Sequence, residues 1–234
     1  MSNPFALMKK REYALMICSA AAVLLTAVLS RRAEPLTLTA TLIGSVMLVF
    51  LAVGSVWGQI LTVVFSILYG IISARCAYWG EMITYLGMTM PMAVMAAVQW
   101  IKNPDSSGLG RVETAEPDKK QILVMTMLCA AVTAVFGGLL YAFHTPNLFF
   151  SVISVSTSFL AVYLTYLRSP FYALAYAAND IVLIVLWMLM SREDMSYLTM
   201  AVNFMIFLVN DLYGFVSWKQ RADAKKTAEQ KSAV

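Results

Sequence analysis

The sequence predicts an all-α integral membrane protein of about eight transmembrane helices, and three observations carry that prediction. Of its 234 residues, 60% are hydrophobic and only 13% charged, whereas a soluble domain carries about 25% charged residues. Eight segments approach the length of about 20 mostly apolar residues that a bilayer core demands. Lysine and arginine divide unequally between alternate connections, as they do in membrane proteins of fixed orientation.

The segments cover roughly 13–30, 36–53, 57–74, 80–101, 121–141, 148–167, 170–190 and 195–218. Lys9-Lys10-Arg11 precedes the first, and Arg31, Arg32 and Pro35 end it. No small-residue cleavage site follows, so it reads as a helix and not as a removable leader. Gly54 to Gly58 turn the second segment, and Asn103-Pro104-Asp105 through Pro117 form the one long polar loop. Arg192-Glu193-Asp194 makes the last tight connection. With the N-terminus inside, all 17 lysines and arginines except Arg31, Arg32, Arg75 and Arg192 fall on the inner side. Both termini are therefore expected in the cytoplasm of a cell whose inner membrane holds the chain.

The composition also excludes several classes. The net charge of +4 sits in loops and tails and needs no nucleic acid to explain it. Cys18, Cys76 and Cys129 lack metal-ligand spacing, and His144 stands alone in a loop. There is no His-Glu-x-x-His, no phosphate loop and no nucleophile with a base partner, so neither an enzyme nor an ATP-driven pump is expected. No cofactor is expected either.

Shifted by 118 residues, parts of the chain fall on themselves. Tyr69 lands on Trp187, Ser73 on Ser191, Trp79 on Tyr197, Met82 on Met200 and Trp100 on Trp218. This implies two parallel three-helix repeats, 36–101 and 148–218, joined by a loop and linker helix over 102–147. An extra helix over 1–35 precedes them, and a tail over 219–234 follows. Parallel repeats are a known transporter plan with the site near midplane.

Polar groups in the spans fall into stripes. Asn203, Phe207, Asn210 and Gly214 share a face of the last helix; Tyr172, Tyr176, Asn179, Leu183 and Trp187 share one on the seventh, with Asp180 beside it. Glu81, Tyr85 and Thr89 line up on the fourth, and Ser66, Tyr69 and Ser73 on the third. Each Asn has two readings, a solute site or a hydrogen bond between helices. Trp79, Trp100 and Trp218 are expected in the aromatic belt at the membrane surface, Glu81 at the outer interface and Asp211 at the inner one. Asp180 lies near midplane, where a carboxyl needs a water-filled cavity. With Tyr176 and Asn179 it is expected to line the translocation path. Aromatic faces with an acidic oxygen suit a flat, cationic ring. Hydroxyls and amides suit a sugar, and the absence of Lys and Arg from the inner two-thirds of the spans favours an unphosphorylated solute.

The tract LYGIISARCAYWGEM (Leu68–Met82), Trp100, YAANDIVLIVLWML and VNDLYGFVSW resemble the PnuC family of bacterial vitamin transporters over about residues 36–218. The resemblance implies a SWEET-like fold of two three-helix bundles joined by one helix. It also implies a homotrimer and uptake of nicotinamide riboside, an NAD precursor, by facilitated diffusion with trapping by phosphorylation. Its site residues would be drawn from Tyr69, Glu81, Tyr85, Tyr176, Asn179, Asp180, Trp187, Asn203 and Asn210. The family motif Trp-x-x-Trp-x-x-x-Asn on the penultimate helix reads Ala173, Tyr176 and Asp180 here, and Tyr85 replaces a family glutamine. These departures leave thiamine, riboflavin and deoxynucleosides as alternative solutes, and proton coupling through Asp180 as an alternative mode.

Overall fold

The computed structural model describes residues 3–30, 34–76, 78–192, 195 and 198–232. After a short 3-10 turn, Pro4–Leu7, the described chain forms eight helices of membrane-spanning length: α1 (Lys10–Ser30), α2 (Pro35–Ala52), α3 (Val56–Arg75), α4 (Trp79–Lys102), α5 (Lys119–Ala142), α6 (Leu148–Tyr166), α7 (Tyr172–Met190) and α8 (Leu198–Ser232). Arg31, Arg32, Glu193, Asp194 and Tyr197, which the sequence analysis placed in the far-side connections and in the 118-residue match, lie outside the described residues.

Local chemistry sets the helix ends. Pro35 opens α2 at a position where a missing N–H costs nothing. Asp118 and Gln121 form a reciprocal capping box on α5. Within α4, residues Tyr85–Thr89 form a π turn, in which Met90 N–H reaches back to Tyr85 O. Pro91 follows directly and has no N–H for the regular ladder, so the wider turn absorbs the interruption. α2 and α6 end alike. Gly54 (φ 76°) and Arg168 (φ 61°) take left-handed conformations. The next residues donate back five positions, Ser55 N to Phe50 O and Ser169 N to Leu164 O.

The helices close a ring. Contacts run α2–α3–α4–α6–α7–α8 and return from α8 to α2. The order is unchanged when α2, α3 and α4 exchange places with α6, α7 and α8. Two residue pairs related by the 118-residue shift meet across the ring: Trp187 Nε1 donates to Tyr69 Oη at 3.1 Å, and the Trp100 and Trp218 rings lie 5.3 Å apart. α1 packs outside, on α2 and α8, and α5 lies outside on α6 with most of its apolar surface exposed.

At the end of the ring that carries both termini, here called the terminal face, one loop spans both helix turns. Val112 N donates to Gly54 O at 2.9 Å and Ala115 N to Arg168 O at 3.0 Å. α8 continues as a helix through the segment expected to be a tail, and Lys225 and Lys226 pair with Glu113 and Glu116 of the same loop at 2.8 and 2.6 Å.

Candidate functional site

A cavity of 30 Å³ lies inside the ring, lined from α3, α4, α7 and α8 by Thr62, Tyr85, Thr89, Tyr176, Asn179, Asp180 and Asp211, with Phe65, Phe204 and Phe207 closing one side. The π turn places both Tyr85 and Thr89 on this lining. Asp180 and Asp211 are neighbours and are each only 4% exposed. Tyr85 lies among Glu81, Tyr176 and both aspartates.

α6 supplies a row of hydroxyls. Thr157, Ser158 and Ser154 approach Asn179 Oδ1 at 2.9, 3.0 and 3.3 Å, so a single amide oxygen is the hub of the polar network. Ser154 Oγ also lies 3.2 Å from Glu81 Oε1. Asp180 Oδ2, Glu81 Oε2 and Asn203 Oδ1 are buried without a protein hydrogen-bond partner. Buried polar atoms are seldom left unpaired, and those that are call for a functional account. Gln59 Nε2 and the hydroxyls of Ser66, Ser73 and Thr84 share this state, so the unpaired set offers donors as well as acceptors to a polar molecule.

Aromatic rings separate this cavity from a vestibule of 160 Å³ at the far face, where Glu34 and Arg75 pair across the mouth and Asn203 Nδ2 donates to Thr41 Oγ1 at 2.8 Å. The partition is tight. Tyr69 and Tyr85 centroids are 4.4 Å apart, Phe65 stacks on Tyr69 at 5.5 Å, and Phe204 meets Phe207 at 5.6 Å. Gly44 makes room for it, since a Cβ there would lie 2.4 Å from Phe207. Toward the terminal face the closure is built from Trp100, Trp218 and Tyr172, the last two with centroids 4.9 Å apart. The tryptophan Nε1 groups cap the carbonyls Thr165 O and Leu51 O at 3.0 and 2.9 Å.

The structure brings Tyr85, Tyr176, Asn179 and Asp180 to the cavity and Glu81 to its hydroxyl row; Tyr69, Trp187 and Asn203 stand between cavity and vestibule. Asn210 goes elsewhere. Its Nδ2 donates to Ser19 Oγ of α1 at 2.9 Å, a contact between helices. Three expectations are corrected. Asp211 is buried in the cavity and not at the membrane surface, Glu81 is only 2% exposed, and Trp100 and Trp218 fill the ring axis while Trp79 alone of the three is exposed. Residues missed by the sequence reading are Asp211, Thr62 and the α6 hydroxyls Ser154, Thr157 and Ser158. The i, i+4, i+8 series Asn203, Phe207, Asp211 was the signal for the first. Among the described residues no cluster of three or more His, Cys, Asp or Glu is arranged to hold a metal.

Comparison with known proteins agrees with this architecture. A solved structure described as the vitamin B3 transporter PnuC superposes with a TM-score of 0.80, covering 93% of this chain and 94% of its own, at 18% identity. That likeness shows the fold. No curated protein matches the sequence. Residues 34–220 match the family model described as nicotinamide mononucleotide transporter. With most of its length under that match, the chain belongs to this transporter family, known as PnuC.

Proposed function

We propose that the chain takes up nicotinamide riboside through the six-helix ring by uncoupled facilitated diffusion, and that phosphorylation inside the cell traps the product. The observation that carries this reading is the lining of the axial cavity: aromatic rings, two aspartates, an amide and hydroxyls, with no lysine or arginine. The pyridinium ring would stack on Tyr85 and Tyr176 with its charge facing Asp180 and Asp211, while the ribose hydroxyls exchange donors and acceptors with Asn179 and Thr62. The family description names the mononucleotide, but a phosphate calls for cationic or N–H donors that this lining does not hold. The Lys and Arg distribution supports placing both termini in the cytoplasm of the cell membrane. The assembly we propose is a homotrimer, as the family resemblance implies; the apolar side of α5, open to lipid in the single chain, leaves a helix face free for a second copy.

Uptake into liposomes tests the reading. Radiolabelled riboside should enter down its own concentration gradient without any proton or sodium gradient, should be competed by unlabelled riboside, and should not be competed by the mononucleotide. Competition by the mononucleotide at equal concentration would reject the unphosphorylated solute; full competition by thiamine, also a cationic ring, would shift the assignment to that vitamin. The adjacent carboxyls Asp180 and Asp211 favour one second reading, proton-coupled transport. Uptake that appears only under a pH gradient would select it.

A further inference from the structure

A second cleft, of 210 Å³, opens on the terminal face where α1, the α2–α3 turn, the 103–118 loop and α8 converge. Its charged lining is mostly cationic, with Lys9 just ahead of α1, Arg11 from α1, Arg111 from the loop and Arg221 from α8, beside the single carboxylate Glu12. Both buried-side arginines crowd Gly54, where a Cβ would lie 2.5 Å from Arg221 Nη1 and 3.1 Å from Arg111 Cγ. Arg221 is aimed by backbone carbonyls, donating to Ala52 O at 3.2 Å and to Val53 O at 3.4 Å, and its guanidinium lies 4.6 Å from the Trp218 ring centroid. Arg111 Nη2 donates to Leu7 O at 3.4 Å, while its Nε is buried with no hydrogen-bond partner. Neither arginine belongs to an ion pair among the described residues. The carboxylate in the cleft, Glu12, is already engaged by Arg11 at 3.0 Å and by Tyr213 Oη at 2.5 Å.

The two guanidinium groups hydrogen-bond to carbonyls and repel each other, with Asp105 and Glu12 near enough to offset part of that repulsion on Arg221 without pairing with it. An anion between the arginines would remove the rest. We propose that this cleft binds a phosphate group, the phosphodiester of an anionic lipid headgroup or a free phosphomonoester. Arginine forks match phosphate oxygens in geometry as well as charge. Leu7 and Val53 supply an apolar wall, and the site sits where α1 leaves the bilayer, the depth at which basic pockets between helices receive headgroups. A bound phosphate ties α1 to the loop and to α8.

The test uses the full chain, purified and stripped of lipid in a neutral detergent, with melting temperature as the readout. Phosphatidylglycerol should raise the melting temperature by about 2–4 °C over phosphatidylcholine. The double variant Lys9→Gln/Arg111→Gln should lose most of that shift, while Lys219→Gln/Lys231→Gln, equal in charge removed, should keep it. A parallel arm with glycerol 3-phosphate separates the sources. A shift there as well assigns the site to soluble phosphomonoesters, and a shift with lipid alone assigns it to headgroups. Equal shifts in both double variants, or none with either phosphate probe, would overturn the proposal. Should Lys9→Gln/Arg111→Gln fail to fold, Arg11→Gln makes the same comparison, with retained phosphatidylglycerol counted by native mass spectrometry.

Discussion

The two halves of the ring, α2–α4 and α6–α8, share their contacts and their turn geometry but not their chemistry. At the 118-residue shift Thr62 corresponds to Asp180 and Tyr85 to Asn203. Thr62 and Asp180 both line the cavity, from opposite halves. Both halves contribute rings and hydroxyls, but the carboxyls and the amide that line the cavity, Asp180, Asp211 and Asn179, all come from the second. A twofold arrangement of backbone thus presents a one-sided surface, which the proposed solute, with a charged ring at one end and a sugar at the other, would require. The same divergence marks the turns. Gly54 adopts its left-handed conformation without strain, whereas Arg168 adopts it at a cost of about 1–2 kcal/mol for a residue with a Cβ.

Substitutions at equivalent positions sharpen this contrast. The largest effect is expected at Asp180. Asp180→Ala should reduce riboside uptake into liposomes about tenfold or more, the consequence of losing roughly 1.4 kcal/mol of solute binding. Thr62→Ala, its counterpart, should change uptake by less than about threefold; equal losses at the two would erase the division of labour between halves. Tyr176→Ala and Asp211→Asn should each weaken riboside binding, read as a smaller thermal shift by the solute, with folded protein recovered in normal yield.

The turns come next. Gly54→Ala should destabilise by about 1–2 kcal/mol, because the new methyl would meet Arg221 at 2.5 Å in a backbone conformation unsuited to it. Arg168→Gly should instead raise the melting temperature by about 2 °C, the strain relieved exceeding the long 3.4 Å bond to Glu113 O that is lost. Chemical or thermal melts of both variants decide it, and opposite signs are the expected result. The smallest effect belongs to Asn210→Ala. Removing its bond to Ser19 should cost about 0.6 kcal/mol and leave uptake unchanged.

Much of this organisation was legible in the sequence, because a bilayer imposes length, charge and periodicity rules that leave direct traces. The eight spans and the stripes holding Tyr85, Tyr176 and Asn179 follow from those rules alone. Asp211 was not legible for a physical reason. Helix α8 runs on past the bilayer to Ser232, so a span judged to end at Trp218 places residue 211 too near the surface. Following the stripe through Asn210 instead of Asp211, a choice between steps of three and four, then turned attention to the face that meets α1. Trp100 and Trp218 were misplaced because tryptophan near a span end ordinarily anchors at the interface. Their pairing at the 118-residue shift was the clue that they meet each other. The α6 hydroxyls carried no signal, since serine and threonine are frequent in membrane helices and only the position of Asn179 gives them a common target.

The polar loop over 103–118 is stitched to the first half at Gly54, to the second at Arg168 and to the end of α8 at Lys225 and Lys226. Such a strap converts any rocking of one half against the other into tension along a few peptide units. In the proposed transport cycle the loop would act as a tether whose slack limits how far the terminal face opens, and lengthening it by inserted glycines should change the speed of that cycle without touching a single residue of the solute path.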